Sequence, residues 1–221
     1  MLLYHGTSER VARKALSEGL RTRRSLNIKG NWHHTVQSNP KAVYLTDSYA
    51  GYFAMTAARN QSPAVVEVDV TRLNPFDLYP DEDLLEQSGR GHDDVPGDTI
   101  ARTKHYRRIM TDYVDKWEHS LRYMGTCAHM GDIPPEAITR IAIIDEKALR
   151  PFCFAHLNPS ISIMNYAVCG AEYRWLSAVI FEPDLPITQD VYLHEMRKPF
   201  YEEMQKLLLN NPEAIKIIER N

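Results

Sequence analysis

The sequence predicts an α+β fold held in a single domain, and three observations predict it. Alternating short runs such as Ala64–Val70 are interleaved with segments whose apolar residues recur at helical spacing, such as Ala50, Phe53, Ala54 and Ala57. No internal repeat, low-complexity tract or shift of composition divides the 221 residues. A chain of that length buries a sizeable core without disulfide staples and fits within one domain.

Taken in order, Leu2–Tyr4 reads as a short strand that stops at His5-Gly6-Thr7. Ser8 is placed to cap a helix, Glu9 suits its first turn, Val11, Ala12, Ala15 and Leu16 supply its apolar face, and Gly19 ends it. Arg21 to Pro40 is polar and without period. Ala42–Thr46 reads as a second strand, with Ser48 capping the helix after it, and Ala64–Val70 alternates as a half-buried strand. Pro75–Thr99, rich in Asp, Glu, Gly and Pro, reads as a long connection, which in a compact domain is usually functional or mobile. Tyr113, Trp117, Leu121 and Met124 mark another helix. Gly125–His129 and Thr139–Asp145 read as strands around the turn Gly131–Pro135. Ala178–Phe181 is expected to be the last strand. Phe200, Met204, Leu207, Leu208, Ile215 and Ile218 form an amphipathic C-terminal helix in this reading.

Composition narrows the function classes. The chain is 43% hydrophobic and 25% charged, with a formal net charge of −3, and no apolar run approaches the roughly eighteen residues of a membrane helix. Its first residues lack the basic-then-apolar plan of a signal peptide. Cys127, Cys153 and Cys169 show no CxxC spacing and read as reduced, buried small hydrophobes. A cytoplasmic protein without membrane partners is expected. The histidines, including the adjacent His33 and His34, lack metal-ligand spacing, so no metal is expected.

Charge is uneven: residues 1–60 carry nine Lys/Arg against three Asp/Glu. Arg21, Arg23, Arg24 and Lys29, beside His33 and His34, suit a phosphate-bearing cofactor or a nucleic acid. A solvated arginine-rich loop is the bland alternative. Arg102, Lys104, His105, Arg107 and Arg108, with Tyr106 among them, suit a single-stranded nucleic acid; a charged helix face is the commoner meaning. The net acidity argues against a dedicated DNA-coating protein.

Two segments carry candidate chemistry. In Tyr4-His5-Gly6-Thr7 the glycine lets a ligand approach the backbone, whose peptide groups can clamp a carboxamide, and His5 can bond a sugar hydroxyl. A histidine at a strand end is, however, often structural. In Val43-Tyr44-Leu45-Thr46-Asp47-Ser48, followed by Tyr52 and Phe53, a strand tyrosine and a helix aromatic can sandwich a flat heterocycle while Ser48 bonds its amide edge. These aromatics also suit a core, Phe53 above all.

Together with a strand at Val65–Val70 and the turn Ile133-Pro134-Pro135-Glu136-Ala137-Ile138-Thr139-Arg140-Ile141, these segments resemble the ADP-ribosyltransferase superfamily. That superfamily includes poly(ADP-ribose) polymerase-like enzymes, bacterial toxins and RNA 2′-phosphotransferases. The resemblance spans roughly residues 2 to 145. It implies a split, mostly antiparallel sheet with flanking helices, holding NAD in its cleft, and a subfamily-specific extension over about 146–221. It further implies that His5 holds the adenosine-side ribose, Gly6 grips the nicotinamide carboxamide and Tyr44 stacks under the nicotinamide ring. Thr7, Ser48, Tyr52 and Arg24 are the other NAD-binding candidates. The glutamate usual in such enzymes has no counterpart on the strand Gly125–His129; Thr126 takes its position and is the third catalytic candidate, with Glu67, Glu136 or Glu172 as possible substitutes.

The resemblance implies mono-ADP-ribosylation of a macromolecular acceptor rather than chain elongation. RNA or DNA is favoured over protein because of the two basic clusters. A small transferase of this kind suits a bacterial or phage toxin or defence factor with a neutralising antitoxin. An RNA 2′-phosphotransferase and a catalytically silent NAD- or ADP-ribose-binding module are the alternatives.

Overall fold

The computed structural model describes residues 1–28, 36–89, 92–149, 160–191 and 197–220. Within them the strands are β1 (Leu2–Ser8), β2 (Ala42–Thr46), β3 (Pro63–Asp69), β4 (Leu78–Pro80), β5 (Thr126–Met130), β6 (Ile138–Ile144) and β7 (Ile215–Glu219). The α-helices are α1 (Glu9–Glu18), α2 (Ala50–Ala58), α3 (Glu82–Gly89), α4 (Thr99–Ile109), α5 (Trp117–Met124), α6 (Ile163–Ala178) and α7 (Lys198–Asn210). The strands form one sheet in the order β4-β5-β2-β1-β3-β6-β7, with every neighbouring pair antiparallel. The fold is α+β.

Pairing is uneven across that sheet. β1 and β3 pair without interruption from Leu2↔Asp69 to Ser8↔Pro63, and β2 and β5 from Ala42↔Met130 to Thr46↔Thr126. Between β1 and β2 the register is Tyr4↔Thr46 alone. Two blocks, β4-β5-β2 and β1-β3-β6-β7, are therefore joined through a single residue pair. Backbone groups not paired across that junction must find other partners.

Both faces of the sheet are covered, which gives three layers. On one, Ala12 and Ala15 of α1 pack with Leu3, Val43, Leu45, Val66, Val68, Cys127 and Ile141. On the other, Ala50 and Ala54 of α2, Trp175 and Leu176 of α6, and Tyr201, Met204 and Leu208 of α7 pack with Val65, Ala142 and Ile144. The double cover corrects the half-buried reading of β3: Val65 and Glu67 are buried as fully as Val66 and Val68.

Three further expectations are corrected. Ala178–Phe181 is no strand; it is the end of α6 and the turn after it, whose Val179, Ile180 and Phe181 plug the core. The last strand is Ile215–Glu219, paired with β6 from Ile144↔Ile215 to Arg140↔Glu219. Ile215 and Ile218 therefore belong to a strand and not to the C-terminal helix: α7 stops at Asn210 before Pro212, and the β-branched run beyond satisfies the open edge of β6. Pro75–Thr99 is no plain connection, since it contains β4 and α3. Pro80 is tolerated because β4 lies at the sheet edge. The acidic run opens α3, where Asp81 Oδ1 accepts the Asp83 N–H at 3.0 Å and Glu82 and Asp83 face the positive end of the helix dipole.

Candidate active site at the parting of the sheet

His5 lies just past the Tyr4↔Thr46 pair. Its Nδ1 is 2.9 Å from the Tyr44 carbonyl oxygen, so the imidazole links the two blocks. A carbonyl oxygen only accepts, which places the proton on Nδ1 and leaves Nε2 as an acceptor in the neutral ring. Desolvation lowers the His5 pKa, partly offset by the Tyr44 carbonyl, so the neutral form prevails at pH 7. A neutral Nε2 suits a hydroxyl donor.

Gly6 follows, and α2 explains it. A Cβ at Gly6 would sit 2.4 Å from Ala54 N, 2.6 Å from Ala50 O and 2.6 Å from Phe53 Cβ. The glycine is required for a helix to cross the strand at close range, whatever a ligand does with its peptide groups. Thr7 is buried and paired in register with Ala64.

Tyr44 is half-buried and packs, as Tyr79, Leu85 and Met130 do, against the cluster Ala42, Met110 and Ala128. Its hydroxyl accepts the Asn39 N–H at 2.5 Å and donates to Glu82 Oε2. Burial, followed by the charges of Glu82 and Asp81, raises the phenol pKa well above its usual value, so the phenol remains the donor.

Glu82 is the residue that the sequence reading missed. Only 1% exposed, it opens α3 and is carried to Tyr44 by edge strand β4, whose Tyr79 pairs with Ala128 of β5 while Ala128 pairs with Tyr44. Its Oε1 is buried and bonds nothing. Burial, then the Asp81 charge, raises its pKa to about 7, against the lowering effect of the Tyr44 bond. Burial also raises Asp81, with the Asp83 N–H and the Thr126 hydroxyl pulling the other way. Thr126, opposite Thr46 on β5, is thus buried beside Asp81, its Oγ1 outside strict hydrogen-bonding geometry. A carboxylate group therefore reaches this side of the sheet from α3, although β5 carries none.

The remaining candidates are placed as follows. Ser48 is buried; its hydroxyl donates to Asp47 Oδ1 and lies 3.3 Å from the Tyr166 hydroxyl, which itself donates to Asp47 at 3.2 Å and accepts Arg174 Nη1 at 2.8 Å. Ser48 does not cap α2, whose first N–H, that of Ala50, goes to Ser177 Oγ at 3.1 Å; the turn before it is held by Thr46 Oγ1, which accepts the N–H groups of Ser48 and Tyr49, each at 3.0 Å, and donates to Gly125 O at 2.5 Å. Tyr52 is half-buried with its ring 5.7 Å from that of Phe53. The expected arginine patch divides: Arg21 pairs with Asp132 at 3.0 Å, Arg23 turns to Ser38, and Arg24 is exposed. Lys29, His33 and His34 lie outside the described residues.

Glu67, Glu136 and Glu172 are engaged elsewhere. Glu67 accepts Thr139 Oγ1 at 2.6 Å and Arg140 Nε at 2.8 Å. Glu136 faces Arg220 at 3.6 Å. Glu172 accepts both Arg197 Nη1, at 2.9 Å, and the Tyr201 hydroxyl.

No family model matches the chain, and no curated protein matches it. Among solved structures the chain is similar to one described as EcPltA, with a TM-score of 0.35 and 11% identity over 65% of this chain and 75% of that one. A likeness of that size carries no weight for family or function.

A cavity of about 440 Å³ lies near the site, lined by Glu86, His92, Val95, Pro96, Gly97, Arg102 and Tyr106. Glu86 is one helical turn beyond Glu82 on α3. Among the described residues no group of three or more His, Cys, Asp or Glu side chains is arranged to hold a metal ion, and no helix is long and apolar enough to cross a membrane.

Proposed function

We propose that the chain is an NAD-consuming mono-ADP-ribosyltransferase acting on a macromolecular acceptor, with nucleic acid favoured over protein. The observation that carries this reading is the joined set His5–Tyr44–Glu82 at the parting of the sheet: the imidazole bonded to the tyrosine carbonyl, and the tyrosine hydroxyl bonded to a buried carboxylate. The first two residues match the resemblance in type and order, and the third supplies the carboxylate absent from β5.

In this reading Nε2 of His5 accepts a ribose hydroxyl, and the Tyr44 ring supports the nicotinamide. The bond between nicotinamide and ribose C1′ breaks with its electron pair going to the nicotinamide nitrogen, which needs no general acid because that nitrogen starts out cationic. The oxocarbenium-like carbon is stabilised by the ionised Glu82. The acceptor nucleophile bonds C1′ and yields its proton to a Glu82 oxygen. With a pKa of about 7, Glu82 serves as a base near neutrality.

The test is transfer of label from adenylate-labelled NAD into whole-cell lysate, with nuclease or protease digestion afterwards. Nuclease-sensitive label is expected. Tyr44→Phe, which keeps the ring, and Glu82→Gln should each lower transfer by at least tenfold while preserving the far-UV spectrum. Protease-sensitive label moves the acceptor to protein. ADP-ribose 1″,2″-cyclic phosphate among the products replaces the reading with RNA 2′-phosphotransfer. NAD binding without nicotinamide release leaves a silent binding module.

A further inference from the structure

The loop before β2 gathers positive charge that the proposed chemistry does not use. Arg23 Nη2 donates to Ser38 O at 2.6 Å and to Ser38 Oγ at 2.8 Å. Arg107 Nη2, from the last turn of α4, donates to the same Ser38 O at 2.9 Å and to Gln37 O at 3.0 Å. Two guanidinium groups that share one carbonyl oxygen are close neighbours, and both are half-buried. Among the described residues neither lies within ion-pair distance of a carboxylate, whereas Arg21, Arg102 and Arg140 each do. Arg107 Nε is buried and bonds nothing. A carbonyl satisfies donor geometry but does not neutralise two like charges; an anion does both.

Position connects this pair to the site. Asn39, the residue after Ser38, gives its N–H to the Tyr44 hydroxyl. The charge of Arg107 is also felt at Glu82. Lys104 and Arg108 are exposed on α4 without a carboxylate partner among the described residues, and Arg24 is exposed beside Arg23. The positive track thus runs beyond what the two adjacent phosphates of a dinucleotide require.

We propose that Arg23 and Arg107 hold a backbone phosphodiester of the single-stranded nucleic acid that the chain modifies, and that Lys104 and Arg108 continue its track along α4. This rests on the nucleic-acid reading above. Strand binding and NAD use are separate measurements, so the two can fail separately.

The experiment uses the full chain and a fluorescein-labelled single-stranded RNA, titrated by anisotropy across a series of salt concentrations without NAD. NAD binding is followed in parallel by its shift of the thermal midpoint. The R23Q/R107Q variant should weaken RNA binding roughly ten- to hundredfold and flatten the slope of log affinity against log salt by about 0.7, as expected when one phosphate of a single strand is no longer neutralised. Its NAD shift should be unchanged, and R23K/R107K should restore the slope. K104Q/R108Q alters exposed side chains only and should also flatten the slope; it decides the matter if R23Q/R107Q does not fold. Unchanged RNA affinity and slope in these variants overturns the proposal and leaves the arginines as clamps on the loop. A lost NAD shift with RNA binding intact overturns it in favour of the NAD pyrophosphate. Arginine-dependent RNA binding without label transfer defeats the transferase reading alone; label transfer to nucleic acid indifferent to all four residues defeats this proposal alone.

Discussion

A carboxyl group at Glu82, 1% exposed and bonded through one oxygen, is costly to ionise. The folded protein holds its proton up to about pH 7, whereas an unfolded chain releases it near pH 4.3. The sign follows: stability from this proton is complete at low pH, declines as pH rises through that window, and is gone above it. The full span is at most about 3–4 kcal/mol. Glu82→Gln removes this dependence, so its urea-unfolding free energy should match or trail the wild type near pH 5 and exceed it near pH 8. Burial raises Asp81 and Asp83 as well, which leaves a smaller slope of the same sign. Parallel pH profiles for the two proteins would show that Glu82 does not titrate in this range. At Gly6 the constraint is steric, because Ala50 O and Ala54 N belong to helix backbone and cannot yield. Gly6→Ala should cost about 1–3 kcal/mol or more, read from the urea midpoint; an unchanged midpoint would mean that α2 can move away from β1.

At the scale of elements, one buried carboxylate, Glu172, ties α6 to α7 through the exposed Arg197 and the buried Tyr201. Glu172, on α6, is 3% exposed and accepts Arg197 and Tyr201 from the segment that leads into α7 and from α7 itself. Removing Glu172 leaves Arg197 in solvent but strands the buried Tyr201 hydroxyl, a loss of about 1–3 kcal/mol. Glu172→Ala should therefore unfold at clearly lower urea concentration, and a change below about 1 kcal/mol would place the cohesion of α6 and α7 in apolar packing alone. The placement of Glu82 is an element-scale matter too. Three residues of β4 on the edge of β5 carry the start of α3 to Tyr44; without that pairing the acids 81 to 83 would be an ordinary solvated helix start.

Over the whole molecule, the C-terminal residues complete the sheet and close one of its faces. β7 covers the outer edge of β6, while Trp175, Leu176, Tyr201, Met204 and Leu208 cover Val65, Ala142 and Ile144. A chain cut after residue 145 would expose that face and the β6 edge, even though the residues resembling a known family all lie before the cut. It should lack a cooperative urea transition and show near-UV dichroism close to zero. A cooperative transition in that fragment would show that residues 1–145 hold a sufficient core by themselves.

Local pattern alone determined the order of β1, α1, β2 and α2, the glycine stop at Gly19 and the pairing of His5 with Tyr44 as candidates. Each depends on neighbours a few residues apart, through periodicity, a glycine stop or a short motif, although β1 runs on through His5 to Ser8 instead of stopping at Tyr4, and neither Ser8 nor Ser48 caps its helix. Tertiary structure decided the rest. Asp81 and Glu82 read as part of a long connection because burial is a property of what packs on a residue, and β5 and Tyr44 are far away in the chain. Ile215–Glu219 looked helical because the vacant β6 edge that makes it a strand is not a local signal. Arg21, Arg23 and Arg24 looked like one patch, yet Asp132 and Ser38 draw the first two apart. Long-range partners set side-chain environment, and environment separates a charged surface from a site.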